Sequence, residues 1–261
     1  MQDYLSAVRD FRRARRRAAT ERVMARLRGR SVDLLAYDTV REQLRARFSQ
    51  TTSLREIPLD AIVGSVGRYS DFTRSFLPTK DSDEERWARV QLAVIDLGGL
   101  PPIEVYQMGE VYFVRDGNHR VSIARQFGAT HIQAYVTEIK TPVPLSPDVQ
   151  PDELILKAEY ADFLDRTRLD QIRPQADLSV TSPGRYPAIS EHIEVHRYFL
   201  GLEQEREIPN QEAVAHWYDE VYLPVVKTIR RQGILREFPE RTETDLYLWL
   251  AEHRAALEEA L

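Results

Sequence analysis

Five consecutive residues, Asp116-Gly117-Asn118-His119-Arg120, hold the densest chemistry in the chain. They follow an alternating apolar run, VYFVR, and precede VSIARQFGA, whose apolar residues recur at helical spacing. A strand that turns at a glycine into a helix points free backbone N–H groups at whatever lies beyond the turn. The positive end of the helix dipole faces the same way. Gly117 permits close backbone approach, Asn118 can cap or donate, and His119 and Arg120 add donors suited to phosphate oxygens. The segment is an anion site on these grounds. The same residues admit a ligand-free reading, in which Asp116 and Asn118 cap the helix and Arg120 pairs with an acid of the body.

The elements around this turn follow from periodicity. PPIEVYQM and VYFVRDG read as a β-hairpin about Gly109-Glu110, NHRVSIARQFGA as a helix ended by Gly128, and HIQAYVTEI as a closing strand. Upstream, Leu54–Ile62 reads as a short strand with a turn, then a glycine-punctuated loop runs from Gly64 to Phe72. A helix reaches Asp96 with the stripe Trp87, Val90, Val94 and Leu97, ended by Gly98-Gly99. Its acidic start, Asp81–Glu85, suits a helix N-terminus. Residues 2–28 read as a helix striped by Tyr4, Val8, Phe11, Ala14 and Ala18, with Gly29 as its stop. A second helix is expected over 32–48, striped by Tyr37, Val40, Leu44 and Phe48, to give a basic helical hairpin over 1–50.

Residues 141–151 hold four prolines and read as a linker or wrapping arm. Residues 152–261 are helical in outline, with helices at 152–165, 189–202, 210–232 and 242–261. A kink is expected at Pro224, and 173–187 is turn-rich. The fold class is α+β.

Composition removes several chemistries. With 261 residues, 43% of them hydrophobic, the chain can bury a real core, and with no cysteine it has neither thiolate catalysis nor disulfides. No apolar run approaches a bilayer span and the start lacks a signal-like apolar stretch, so a cytoplasmic location without membrane contact is expected. Residues 1–50 carry 13 arginines against six acids, a net +7, which leaves −12 to the rest of a chain at −5. Arg12, Arg13, Arg15, Arg16 and Arg17 are the candidates for a nucleic-acid contact; the plainer reading is a solvated basic face. His192 and His196 stand at i, i+4, a spacing open to a metal, but without the metalloprotease pattern. His216 to Asp219 and Tyr222 form an aromatic cluster that reads as core. No P-loop pattern occurs, and the serines have no local histidine partner.

Residues 57–139 resemble the ParB/sulfiredoxin superfamily in the order of their parts: IPLDAI, RWARVQLAVIDLGGL, PPIEVYQ, then VYFVRDGNHRVSIARQFGATHIQAYV. The resemblance implies a ParB/sulfiredoxin-like domain at 54–140, between the N-terminal hairpin and a helical C-terminal region. It also implies that the Gly117-Asn118-His119-Arg120 loop cradles nucleotide phosphates. Sulfiredoxins carry Gly-Cys-His-Arg there, so Asn118 stands at the position of their cysteine and thiol-based sulfinic-acid reduction is excluded. Partition proteins carry Gly-Glu-Arg-Arg and a helix-turn-helix module that 152–261 does not match. RTETDLYLWLAEHR, at 241–254, resembles a family of bacterial proteins in which such a domain lies between helical extensions. Superfamily members also include small-molecule kinases. By that likeness Asp116 is a metal or base partner, with His119 beside it, and Ser122 and Arg125 are further phosphate contacts. Arg68 would clamp the nucleotide, and Asp71 or Glu56 would act as acid or base. The expected ligand is a nucleoside di- or triphosphate with Mg2+, bound for hydrolysis or phosphoryl transfer. The alternative is a DNA-associated regulator that uses the basic N-terminal helices.

Overall fold

A computed structural model describes residues 2–29, 31–96, 100–151 and 153–260. Leu97, Gly98, Gly99, Asp152, Leu261 and the Phe48 side chain lie outside the described residues. The chain forms two compact units, Met1–Leu154 and Ile155–Leu261.

The first unit is built on a six-stranded mixed sheet in the order β1-β3-β5-β4-β6-β2. The strands are β1 (Leu35–Ala36), β2 (Arg47–Pro58), β3 (Ile62–Ser65), β4 (Ile103–Met108), β5 (Val111–Asp116) and β6 (His131–Lys140). β4 and β5 form the expected antiparallel hairpin, with Met108 opposite Val111 across the Gly109-Glu110 turn. β6 runs parallel to β4 and antiparallel to β2. Because side chains alternate along a strand, each central strand feeds two cores. Ile62, Val114 and Val136 join the core capped by Val121 and Ala124 of α4 (Asn118–Gln126). Val63, Phe113 and Ile139 join the opposite core, with Leu145 and Val149. The proline-rich segment is therefore a wrapping arm, held by its buried apolar residues. Six strands and many helices give a mixed, α+β protein.

α1 (Gln2–Leu27) confirms the first predicted helix. Its stripe packs on α3 (Glu84–Asp96) and the preceding loop: Ala7 and Val8 on Ala88, Phe11 on Trp87, Ala14 and Ala18 on Leu77. The expected second helix over 32–48 is corrected. Helix α2 covers only Tyr37–Gln43, behind the two-residue strand β1, and β2 begins at Arg47. Leu35 pairs with Gly64 of β3, so this segment starts as sheet. Arg45 turns the chain at φ +50, and the β-prone FSQTTSL stretch then aligns with β6. Among the described residues Tyr37, Val40 and Leu44 spend their apolar stripe on the sheet and not on α1 as a hairpin would need.

The second unit is helical: the remainder of α5 (Glu153–Thr167), α6 (Leu169–Ile172), α7 (Tyr186–Gln204), α8 (Asn210–Trp217), α9 (Leu223–Gln232) and α10 (Glu243–Ala260). The break expected at Pro224 takes the form of a wide π turn, Tyr218–Tyr222, with the proline at the start of α9. Proline lacks the N–H for a normal helical bond, and a wider register re-pairs the backbone around it. The aromatic cluster is core, as read: Trp217 and Tyr222 are buried and pack on Tyr247.

Candidate functional site

α4 starts at Gly117, whose backbone sits at φ +111 and ψ +19. A side chain there would be strained by that φ and would bring its Cβ within 2.5 Å of Ile103 Cγ2. The glycine thus lets β5 turn tightly against β4. Gly117 at the N-cap has no side chain with which to cap α4, and this helix start borders a cleft of ≈ 370 Å³. Val66 and Arg68 enter this cleft after β3, Arg86, Val90, Ala93 and Val94 come from α3, and Pro101 with Arg115 to Arg120 form its remaining wall.

Two side chains at the helix start are buried with nothing to bond. Asn118 is 6% exposed and its Oδ1 has no partner; His119 is 5% exposed and neither ring nitrogen has one. The His119 ring packs edge-on against Phe72, with centroids 5.2 Å apart. Burial first, then the nearby Arg86 and Arg68, pull its pKa down to about 4, so the imidazole is neutral at pH 7. A buried unpaired polar group costs on the order of 1–3 kcal/mol. Two adjacent ones lining the same cleft indicate a site shaped for something polar.

The arginines divide by what already holds them. Arg120 donates to the carbonyls of Pro101 (3.2 Å) and Pro102 (2.5 Å) and to Asp116 Oδ2 (2.5 Å). It therefore clips the loop together. Of the ligand-free alternatives, an arginine–acid pair does form, but with Asp116, whose side chain is otherwise 65% exposed. Arg115 faces Glu104 at 3.3 Å. Arg68 lies between Asp71 (3.4 Å) and Asp83 (3.6 Å), and Lys80 also grips Asp71 at 2.5 Å. Arg68 and Asp71 thus form the loop-ordering pair while Arg68 still lines the cleft. Among the described residues Arg86 has neither an ion pair nor a hydrogen bond from its side chain, and it is exposed.

Three expected site residues lie elsewhere. Ser122 is fully buried and accepts a hydrogen bond from Trp87 Nε1 at 3.0 Å, in the seam beneath α3. Arg125 donates to the carbonyls of Leu59 (2.6 Å) and Arg74 (3.5 Å) and lies over the Phe76 ring. Ser122 sits about one turn into α4 and Arg125 in its last turn, both away from the cleft. Glu56 lies on β2 opposite Gln133, three strands from β5, roughly 14 Å away at ordinary strand spacing.

Asp83, Arg86 and Arg115 were not singled out by sequence. Asp83 belongs to the acidic run at the start of α3, yet it is buried, and its Oδ2 is unpartnered. Burial, then the neighbouring Asp71, push its carboxyl above the usual range. Arg86 precedes Trp87, so its outward direction was implicit in the stripe. His192 and His196 are committed to different partners: His192 to the Tyr247 hydroxyl (3.1 Å) and His196 to His216 (2.8 Å). No group of three or more metal-capable side chains occurs among the described residues, and no helix among them is long and apolar enough to cross a membrane.

No protein-family model matches the chain, and no curated protein matches it. Among solved structures the chain is similar to sulfiredoxin from Arabidopsis thaliana, at 18% identity and a TM-score of 0.27, over 34% of this chain and 88% of that one.

Proposed function

We propose that residues 54–140 form a ParB/sulfiredoxin-like domain that binds a nucleotide in the α4 cleft, with its phosphates at the DGNHR turn. The observation that carries this reading is the meeting of an uncapped helix N-terminus, a free Arg86 and the unpartnered Asn118 and His119 in one cleft. A volume of ≈ 370 Å³ lies in the range of small-molecule pockets. Val66, Val90, Ala93 and Val94 offer an apolar wall for a base or sugar, and the arginines offer forks for phosphate oxygens. Neutral His119 can donate from one nitrogen and accept at the other, which suits it to a phosphate oxygen or to an attacking hydroxyl. Hydrolysis or phosphoryl transfer is the chemistry such a site would run.

Mg2+ fits this site only as a companion of the phosphates. Asp116 is the exposed carboxylate at the cleft edge, and Mg2+ often uses one or two carboxylates together with phosphate oxygens and water. When bound, such an ion neutralises charge on the transferring phosphate.

The test is a thermal-shift screen against ATP, ADP, CTP and GTP, each with and without magnesium. A shift is expected with at least one, and Arg86→Ala should weaken that ligand about 10–100-fold without altering the melting point of the free protein. Absence of any shift, or identical affinity in Arg86→Ala, would remove the reading.

A further inference from the structure

The outward face of α1 forms a second basic surface, separate from the cleft. Arg9, Arg12, Arg13 and Arg16 recur at i, i+3, i+4 and i+7, on the face opposite buried Ala7, Phe11, Ala14 and Ala18. With Arg17, Thr20, Ser75 and Leu77 they line a concave groove of ≈ 790 Å³. Three of these cations have no side-chain partner among the described residues. Arg12 pairs with Glu84 at 2.9 Å and Arg17 reaches Gln126 at 3.5 Å. Arg9, Arg13 and Arg16 are exposed, with no hydrogen bond or ion pair from their side chains among the described residues. Arg15, which the sequence groups with them, points to the other side and faces Asp81 at 3.2 Å. The acid at the groove's end, Glu21, is already engaged by the Ser75 hydroxyl (2.9 Å) and the Thr73 hydroxyl (3.4 Å).

We propose that this groove takes the sugar-phosphate backbone of a nucleic acid without reading its sequence. Guanidinium forks match phosphate oxygens, and phosphate contacts alone supply sequence-independent binding. The helix is pinned to α3 by its apolar stripe, so the arginines are held in a row before any ligand arrives. A bilayer fits less well. None of the exposed apolar residues of α1 (Tyr4, Leu5, Val23, Met24 and Leu27) lines the groove, and the surface is concave.

The probe is a fluorescein-labelled 20-base-pair duplex of arbitrary sequence, followed by anisotropy with the full chain. Binding is expected at 50 mM salt. With three bare arginines engaged, log affinity should fall against log salt with a slope of about −2.7, or roughly 40-fold by 200 mM. The triple variant Arg9→Glu, Arg13→Glu, Arg16→Glu should lose binding while keeping the wild-type circular dichroism and melting point. The matching triple lysine variant should retain most of the affinity. No anisotropy change at 50 mM overturns the proposal. So does unchanged binding by the glutamate variant, which would put the duplex elsewhere. Retention by phosphatidylserine vesicles without retention by the duplex would overturn it in favour of a lipid surface.

Discussion

His119 and Arg120 are neighbours in one motif, yet burial gives them opposite work. His119 is neutral and unpartnered, with a pKa near 4 against 6.5 for an open histidine. The unfolded chain therefore takes up a proton that the folded chain refuses as pH falls from about 6.5 to about 4. Stability from this group is full above 6.5 and declines through that window. The decline is at most about 3 kcal/mol, and His119→Gln should flatten it in denaturant titrations at pH 7, 6 and 5. A polyphosphate beside the ring favours the charged form and raises the pKa of about 4, so nucleotide binding should take up a proton and tighten as pH falls toward 4. Calorimetry in buffers of different ionisation enthalpy measures that uptake directly. Arg120 is spent on Asp116 and the Pro101 and Pro102 carbonyls. Arg120→Ala should therefore cost about 1–3 kcal/mol of stability as well as affinity. Arg86→Ala is the cleaner probe of binding.

At the scale of elements, the pivot is the β5–α4 junction. Gly117→Ala combines a left-handed φ with a Cβ 2.5 Å from Ile103, and should destabilise the first unit by about 2–4 kcal/mol, read from chemical denaturation. Phe11→Ala empties the contact with Trp87, whose rings lie 5.8 Å apart, and should cost about 3–5 kcal/mol in the same measurement. Much of this architecture was legible beforehand. The β4–β5 hairpin and β6 alternate between the two cores of the sheet, and α1 lays one stripe on its neighbours, so each carries a readable period. Residues 32–48 were misleading because Tyr37, Val40 and Leu44 satisfy a helical period while Leu35 pairs as a strand. The DGNHR turn was legible as a strand-to-helix junction. That Ser122 would face inward depends on how α3 lies over α4, that Arg125 would do so depends on the 59–76 segment it bonds, and Asp83 is buried beside Arg68 by the loop after β3. No local period encodes that packing.

For the whole molecule, the division at Leu154 and Ile155 separates the cores on the two faces of the sheet from the one around the Trp217 cluster. A nucleotide bound in the α4 cleft should raise the melting of the first unit alone, so scanning calorimetry should show one component shifting and another fixed. Charge is also organised on the large scale, with +7 in the first 50 residues against −12 in the remainder. The acidic run that leads into α3 is where the two signs meet. Asp81 and Glu84 serve Arg15 and Arg12 of α1, while Asp83 between them serves Arg68 in the cleft. In ion-exchange terms the protein comes loaded with its own fixed counterions. An anion arriving at Arg12 or Arg68 must displace a tethered carboxylate, whereas one arriving at Arg9, Arg13, Arg16 or Arg86 displaces only dissolved salt. Chloride should therefore compete chiefly at those four positions, and charge reversal of Asp81 or Glu84 should strengthen anion retention more than the added charge alone accounts for.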